Sequence, residues 1–213
     1  MGIQQDSMKR IKRALISISD KSNLKNLLII LNKFKIEIIS SGGTYKAIKK
    51  MGYKCIEISN YTNSPEILNG RVKTLHPKVH GGILAIRNNK SHQKDIKKNH
   101  LNEIDLVVVN FYPFEKISMS SNDHHKILEN IDIGGPTLVR SAAKNYKDVT
   151  VITNPNQYSE LIKEMKTLKG STSIKLREKL SKEAFMETAY YDGLISNYFN
   201  NISGDEFPKK KII

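Results

Sequence analysis

A basic, hydroxyl-bearing segment bounded by glycines has the residue types to bind an anion. Arg71 and Lys73 stand at alternate positions, Thr74 follows, and glycines lie near both ends of residues 69–82. The segment has neither a long helical period nor a regular strand alternation, which predicts a structured loop. Charge-assisted hydrogen bonds to phosphate are strong, so the segment indicates a phosphorylated ligand. A solvated basic turn is the alternative that this segment alone leaves open.

A Ser-Gly-Gly-Thr segment offers further donors for an anion. It comprises Ser41, Gly42, Gly43 and Thr44 and precedes a predicted helix. The N-terminus of a helix binds phosphate through free backbone N–H groups and the positive end of the helix dipole. An ordinary strand-to-helix turn with Thr44 as N-cap is the alternative. Polar side chains also end the first predicted strand, and these are Ser17, Ser19 and Lys21.

Candidate acid–base residues occur later in the chain. Asp132 and Gly134 precede a predicted helix that carries Arg140 and Lys144 on one face, because a spacing of four residues returns to the same side. Tyr112 follows the most apolar strand and brings a hydroxyl to its end. The alternatives are a solvated basic face, a carboxylate that faces the helix dipole, and a core aromatic residue.

Alternating strands and helices would position these side chains. The predicted strands cover residues 14–19, 36–40, 54–58, 105–110 and 148–153. The predicted helices cover residues 22–34, 45–51, 64–69, 91–100, 126–130, 136–145, 154–168 and 175–200. This alternation indicates an α/β fold with a mainly parallel sheet covered by helices on both faces. Open sheets of this kind bind ligands beyond the carboxyl ends of their strands, where residues 17–21, 41–44 and 110–113 should converge.

Composition excludes several other classes of protein. The 213 residues suit one large domain, and the single Cys55 excludes an internal disulfide framework and indicates a reducing compartment. No apolar run approaches the 18 residues of a membrane span. The net charge of +14 comes from 29 lysines and only 6 arginines, without the aromatic interleaving of a nucleic-acid site. His76 and His80 lack further ligands for a metal, and no dinucleotide or nucleotide-binding fingerprint occurs.

Six motifs in order give the chain a resemblance to a known family. The motifs are Ser17-Ile18-Ser19-Asp20-Lys21, Ser41-Gly42-Gly43-Thr44, Gly70-Arg71-Val72-Lys73-Thr74-Leu75-His76-Pro77, Asn110-Phe111-Tyr112-Pro113-Phe114, Ile131-Asp132-Ile133-Gly134-Gly135 and Arg140-Ser141-Ala142-Ala143-Lys144-Asn145. With these motifs the chain resembles the inosine monophosphate (IMP) cyclohydrolase domain, the N-terminal part, of the bifunctional purine-biosynthesis enzyme that is also a formyltransferase. The resemblance runs from about Arg13 to Phe199.

The resemblance implies a fold, a reaction and a set of site residues. The fold would be methylglyoxal-synthase-like, with three α/β/α layers. The reaction would close 5-formamidoimidazole-4-carboxamide ribonucleotide to IMP with loss of water, and it would need neither a metal nor another cofactor. Lys73, Tyr112, Asp132 and Lys144 would line the reacting end. The substrate would be bound by Ser17, Ser19, Lys21, Ser41, Gly42, Gly43, Thr44, Arg71, Thr74 and Gly134.

The resemblance also implies a domain plan and partners. Residues 1–8 would be a disordered or cloning-derived extension, residues 9–203 the cyclohydrolase domain, and residues 204–213 a linker to a formyltransferase domain that the chain lacks. Formyl transfer should then be absent. The expected protein is cytoplasmic, with a phosphorylated ribonucleotide as substrate and no nucleic-acid or membrane partner. The family's usual state is a homodimer, which the lack of the formyltransferase domain would weaken. A methylglyoxal-synthase-like lyase and a non-catalytic nucleotide-binding regulatory module are the alternatives.

Overall fold

A parallel sheet is at the centre of the computed structural model, which describes residues 8–203. The strands are β1 Met8–Arg10, β2 Arg13–Ile18, β3 Glu37–Ser40, β4 Ile56–Glu57, β5 Leu106–Asn110, β6 Thr150–Ile152 and β7 Ser171–Ser173. Strands β2 to β6 form the central sheet in the order β4-β3-β2-β5-β6, and every pair in it is parallel. Strands β1 and β7 form a separate antiparallel pair.

Helices cover both faces of the sheet. They are α1 Leu24–Lys33, α2 Gly42–Lys50, α3 Ile58–Thr62, α4 Pro77–Leu84, α5 Lys90–Lys98, α6 Phe114–Ser120, α7 His124–Glu129, α8 Gly134–Lys144, α9 Tyr158–Thr167 and α10 Ile174–Ser203. The crossovers from β2 to β3 and from β5 to β6 run in opposite directions across the sheet. Right-handed crossovers therefore place α1 and α8 on opposite faces. Helix α9 packs beside α1, whereas α4 and α10 pack beside α8. The predicted three-layer α/β/α fold is confirmed.

The core explains the apolar run in β5. Residues 106–109 of this strand are 1% exposed or less, since it lies between β2 and β6 with helices above and below. Such a strand must be apolar on both faces, which is why its sequence does not alternate. Each buried valine or leucine side chain contributes about 1.5–3 kcal/mol. The prediction of this strand from its continuous apolar run is confirmed.

The strand order also creates the site for a ligand. The chain leaves the carboxyl ends of β2 and β5, which are neighbours, toward opposite faces of the sheet. A crevice forms between such strands in open parallel sheets. Ile18, the last residue of β2, lies beside Asn110, the last residue of β5, at this point.

The predicted helix at residues 64–69 is wrong. The helix in this region is α3, which begins at Ile58 in the predicted third strand, and only Ile56 and Glu57 of that strand pair in the sheet. The Thr62 hydroxyl donates to the Ile58 carbonyl at 2.9 Å and accepts from the Ser64 N–H at 3.2 Å, and Asn63 adopts a left-handed conformation that ends the helix. A short 3-10 turn, Leu68–Gly70, follows.

Two more predictions need correction. The second half of the predicted basic loop is helix α4, whose N-cap is His76 and whose first residue is Pro77, a position where proline is favoured.

Met8 was predicted to be the end of a tail, but it is the first residue of β1 and pairs with Ser173. The rest of that predicted tail and residues 204–213 lie outside the described residues. Within residues 8–203, no helix is long and apolar enough to cross a membrane.

Candidate active site

A cavity of about 630 Å³ opens at the carboxyl edge of the sheet. Its walls are the ends of β2, β3 and β5, the loop before α4, and the first turn of α8. The predicted site residues that line it are Ser17, Ser19, Lys21, Ser41, Gly42, Gly43, Thr44, Arg71, Lys73, Thr74, Tyr112, Asp132 and Gly134. The convergence of loops expected from the parallel sheet therefore brings these residues together.

Lys144 is the predicted site residue that the cavity does not include. It is the last residue of α8, exposed to solvent, whereas Gly134 at the first residue of α8 lines the cavity. Ten helical residues separate the two positions by about 15 Å along the axis. The structure of one chain thus does not place Lys144 beside Asp132, and its predicted role in balancing the charge of Asp132 stays a prediction.

The first turn of α2 presents donors to the cavity. Ser41 is the N-cap in an extended conformation, and its hydroxyl makes no capping hydrogen bond in the described structure. Thr44, the alternative N-cap, instead lies in the third position of α2. Its hydroxyl accepts from the Ile18 N–H at 3.0 Å and donates to the Ile18 carbonyl at 2.9 Å. Thr44 therefore connects α2 to the end of β2. The first turn of α2 has backbone N–H groups without intrahelical partners.

Asn110 fixes the loop that follows β2. Its side-chain oxygen accepts from the N–H groups of Ser19 and Asp20 at 2.7 and 2.9 Å, and its amide donates to the Asp20 carbonyl at 2.8 Å. The Lys21 ammonium folds back to the Ser19 carbonyl at 3.2 Å. Asn110 belongs to one of the six motifs, but the sequence assigned it no role, because only the pairing of β2 with β5 places it beside this loop.

Lys73 is held in the cavity wall by an ion pair that the sequence did not predict. Its Nζ lies 2.7 Å from Glu66 Oε1, and its side chain is 30% exposed. Gly70 has φ +89°, and a Cβ at this position would overlap Glu66 Oε1 and lie 2.8 Å from Lys73 Cε. The glycine before Arg71 is therefore needed both for its backbone conformation and for space.

The other two predicted residues of this loop make different contacts. Arg71 pairs with Glu129 of α7 and lowers the pKa of that exposed carboxyl through a hydrogen bond. The Arg71 side chain is 68% exposed, so it lies at the rim of the cavity. Thr74 is buried, and its hydroxyl would lie 2.8 Å from a Cβ at Gly134. This close approach joins the loop to the first turn of α8.

Asp132 is the carboxylate of the cavity. Its Oδ1 accepts from the Gly135 N–H at 2.8 Å, and its own backbone N–H donates to the Tyr191 hydroxyl at 2.8 Å. Burial raises the pKa of Asp132, and the Gly135 hydrogen bond opposes this only in part. A carboxylate with a raised pKa is a stronger base, so Asp132 is suited to accept a proton from a bound ligand.

The remaining titratable side chains offer less chemistry. Burial raises the pKa of the Cys55 thiol to about 11, so this residue is protonated at neutral pH. His80 Nδ1 lies 3.2 Å from the Ser141 hydroxyl, and burial lowers the His80 pKa. Among residues 8–203, no group of three or more histidine, cysteine, aspartate or glutamate side chains has the arrangement of a metal site.

Two known families match parts of the chain. Residues 23–137 match the family of MGS-like domains. The chain belongs to this family. Residues 142–213 match a second family, described as the AICARFT/IMPCHase bienzyme. The boundary between the two matches falls within α8, so β6, α9, β7 and α10 belong to the part that the bienzyme family describes.

Curated relatives and a solved structure agree with these matches. The chain is 48% identical over 93% of its length to the bifunctional purine biosynthesis protein PurH of Acetivibrio thermocellus, and 46% identical over 94% to PurH of Bacillus subtilis. It spans 39% of the length of each. A solved structure titled "Crystal structure of ForH" aligns with TM-score 0.78 and 29% identity, over 89% of this chain and 99% of that one. The resemblance to the bifunctional purine-biosynthesis enzyme is confirmed.

Proposed function

We propose that the cavity catalyses the IMP cyclohydrolase reaction, the dehydrative ring closure of 5-formamidoimidazole-4-carboxamide ribonucleotide. The observation that carries this proposal is the presence of Lys73, Tyr112 and Asp132 in the wall of one cavity that also contains the N-terminus of α2. A proton acceptor, a cationic donor and an anion-binding helix end are what this substrate requires. The relation to PurH supports the same assignment.

The reaction requires one base and one acid. A ring C–N bond forms when the carboxamide nitrogen attacks the formyl carbon and loses a proton to Asp132. The formyl oxygen, which becomes negative, takes a proton from Lys73. The resulting hydroxyl takes back the proton held by Asp132 and leaves as water. The formamide nitrogen gives its proton to Lys73, which leaves a C=N bond in the ring and restores both side chains. An ammonium group has three N–H donors, so Lys73 can keep its hydrogen bond to Glu66 and still contact the substrate.

The phosphate would bind at the first turn of α2, next to the loop of Lys73, since a Cβ at Gly42 would lie 3.7 Å from Lys73 Nζ. The N–H groups in the first turn of α2, the Ser41 hydroxyl and the Lys21 ammonium supply donors and positive charge there. A helix N-terminus and a cation together favour a phosphate dianion. Tyr112, which is 51% exposed in the cavity wall, would contact the bound substrate. Holding the substrate in a folded conformer supplies much of the rate.

The test is a spectrophotometric ring-closure assay of Lys73→Ala and Asp132→Asn. We expect each variant to lose about 10²–10³-fold in kcat, the size of effect for a general base or a preorganised donor. Matched controls are Lys94→Ala and Asp95→Asn, which change the same residue types on the exposed face of α5, outside the cavity. Near-normal turnover of both cavity variants, with the fold intact by circular dichroism, would exclude the assignment.

The same preparation distinguishes the two alternatives. A methylglyoxal-synthase-like lyase would release methylglyoxal from dihydroxyacetone phosphate, and a regulatory module would bind nucleotide without turnover. We expect no methylglyoxal, since the carboxylate, lysine and tyrosine of the cavity match the needs of ring closure. Methylglyoxal formation that is lost in Asp132→Asn would assign the cavity to the lyase reaction instead.

A further inference from the structure

Tyr191 of α10 contacts the cavity from behind its wall. Its hydroxyl accepts the Asp132 N–H at 2.8 Å, although 59 residues separate the two in sequence. The Tyr191 ring is 4% exposed and packs against Phe111 at 4.9 Å between ring centroids and against Phe114 at 6.2 Å. Phe111 directly precedes Tyr112. One buried side chain thus contacts the two segments that carry Asp132 and Tyr112.

We infer that Tyr191 is a positioning residue for proton removal by Asp132, an inference that rests on the proposed function. The Tyr191 hydroxyl sets the place of the Asp132 backbone, and the Gly135 N–H sets the direction of the carboxylate through Oδ1. The structure records no hydrogen bond to Asp132 Oδ2 from the described residues. Oδ2 is therefore the oxygen available to take the proton.

Packing around the Tyr191 ring restricts the position of its hydroxyl. Tyr191, Phe114 and Ile127 form a small buried cluster distinct from the main core, and Ile131, the residue before Asp132, packs against it. The cluster joins α6, α7 and α10. A tyrosine side chain has only two rotatable bonds, and with its ring packed in this way the hydroxyl has little freedom to move.

Glycine at position 135 supports the same inference. A Cβ at this position would overlap Asp132 Oδ2, so the carboxylate lies directly over the first turn of α8. Small backbone shifts of Asp132 would move Oδ2 away from this turn. Misplacement of a reacting group by about 1 Å costs about 10²-fold in rate. A hydrogen bond that holds the backbone of a base can therefore affect kcat without contacting the substrate.

Tyr191 and Asp132 lie in segments of the chain that match different families. Asp132 lies in the segment that matches the MGS-like domain, residues 23–137, whereas Tyr191 lies in the segment that matches the bienzyme family, residues 142–213. The second segment therefore supplies the residue that holds the base of the first. This division explains why α10 must pack against α6 and α8 for the cavity to be complete.

The experiment is a double-mutant cycle of Tyr191→Phe and Asp132→Asn in the ring-closure assay. Tyr191→Phe keeps the ring and removes the acceptor, and we expect kcat to fall about tenfold with KM changed less than twofold. Because Tyr191 acts through Asp132, we expect Tyr191→Phe to change kcat less than twofold in the Asp132→Asn background. A residue with only a structural role would lower kcat by the same factor in both backgrounds.

The matched control is Tyr158→Phe. Tyr158 is 2% exposed in the main core, and its hydroxyl has no hydrogen-bond partner among the described residues. We expect its loss to leave kcat and KM unchanged. If Tyr191→Phe does not fold, Phe111→Leu replaces it, because this change loosens the ring contact and keeps the hydroxyl. The same coupling to Asp132 is then expected, with a smaller loss of kcat.

Four results are decisive. A wild-type kcat for Tyr191→Phe, or an equal loss in both backgrounds, would overturn the role of Tyr191 and leave the proposed function standing. A wild-type kcat for a folded Phe111→Leu would do the same. A wild-type enzyme without ring-closure activity would instead overturn the proposed function itself. The inference is supported only if the loss of kcat depends on Asp132.

Discussion

Burial disfavours the charged form of the Asp132 carboxyl. The surrounding cavity wall desolvates it, and a single hydrogen bond from the Gly135 N–H compensates only part of the loss of water. Burying a charge without full compensation destabilises a fold. The raised pKa of Asp132 therefore reports a stability cost that accompanies its suitability as a base. Stability and activity should respond in opposite directions to a change at this residue.

The prediction is that Asp132→Asn raises the free energy of unfolding at neutral pH. Asparagine keeps the oxygen that accepts the Gly135 N–H and has no charge to desolvate. A carboxyl with a raised folded pKa favours the folded state most when protonated, below its unfolded value, and this contribution is lost as the pH rises through the folded value. The advantage of the asparagine variant should thus shrink as the pH falls from 7 toward about 4.

Urea unfolding across this pH range measures the effect. The exposed Asp95 provides the control, since Asp95→Asn should change the unfolding free energy by less than about 0.5 kcal/mol. A lower stability of Asp132→Asn at pH 7, or an advantage that grows as the pH falls, would show that the charge of Asp132 is compensated in a way the hydrogen bonds do not indicate.

The turn before Arg71 determines where Lys73 lies. Gly70 ends this 3-10 turn in a left-handed conformation, and its missing side chain leaves the space in which Glu66 and Lys73 pair. The loop is therefore preorganised, and the ion pair between Glu66 and Lys73 occupies the space beside Gly70. Any side chain at position 70 would be strained by the left-handed backbone and would overlap Glu66 and Lys73.

Gly70→Ala is predicted to lower both stability and activity. The left-handed conformation costs a non-glycine residue about 1–2 kcal/mol, and the Cβ would displace Glu66 or Lys73. Gly193→Ala is the control, because a Cβ in the middle of α10 would meet no atom within 4 Å. It should raise stability by about 0.5–1 kcal/mol. Thermal unfolding and the ring-closure assay of both variants test this, and a rise in stability for both would contradict it.

Sequence patterns predicted the elements that bury a regular face. The apolar runs of β2 and β5 and the ranges of α1 and α9 were located to within a few residues. Helix α3 was missed because Ile58 continues an apolar strand pattern. The end of α3 is set by the Thr62 hydroxyl and the left-handed conformation of Asn63, which leave no periodic signal in the sequence. Strands β1 and β7 are three residues long, and β7 is Ser171–Ser173, which has no hydrophobic pattern to detect.

Arg177 connects the parts of the whole molecule. Its side chain is 1% exposed, and it donates to the carbonyls of Tyr146 at 2.8 Å, Thr172 at 2.5 Å and Lys147 at 3.1 Å. These carbonyls belong to the segment between α8 and β6 and to β7. Burial lowers the pKa of Arg177 to about 10, so it remains charged at neutral pH. One guanidinium thus holds α10 and β7 to the main sheet.

Arg177→Met is predicted to destabilise the protein by about 3 kcal/mol or more. Methionine fills similar volume but leaves the three carbonyls without this donor, and unsatisfied buried groups cost about 1–3 kcal/mol each. The control is Lys182→Met, which removes an exposed ion pair with Glu178 and should cost less than about 0.5 kcal/mol. The midpoints of urea unfolding compare the two variants, and an equal effect would contradict the connecting role of Arg177.

The long-range contacts of the site were beyond prediction from the sequence. The loops after β2, β3 and β5 could be assigned to one edge, since parallel strands end on the same side. The partners of the site residues could not, because Arg71 and Glu129 are 58 positions apart and Asp132 and Tyr191 are 59 apart. A single sequence carries no periodic signal for such pairs. Lys144 lies at the opposite end of α8 from Gly134, because ten helical residues separate the two positions.

The position of β2 at the centre of the sheet affects how the nascent chain folds during synthesis. Ribosomes synthesise the N-terminus first, so β2 can pair early with β3, but its other neighbour, β5, follows about 90 residues later. At about 5–20 residues per second, the second edge of β2 waits on the order of 5–20 s for its partner. An unpaired edge with buried-type side chains is a template for aggregation. The nascent chain should therefore need the protection of chaperones during this interval.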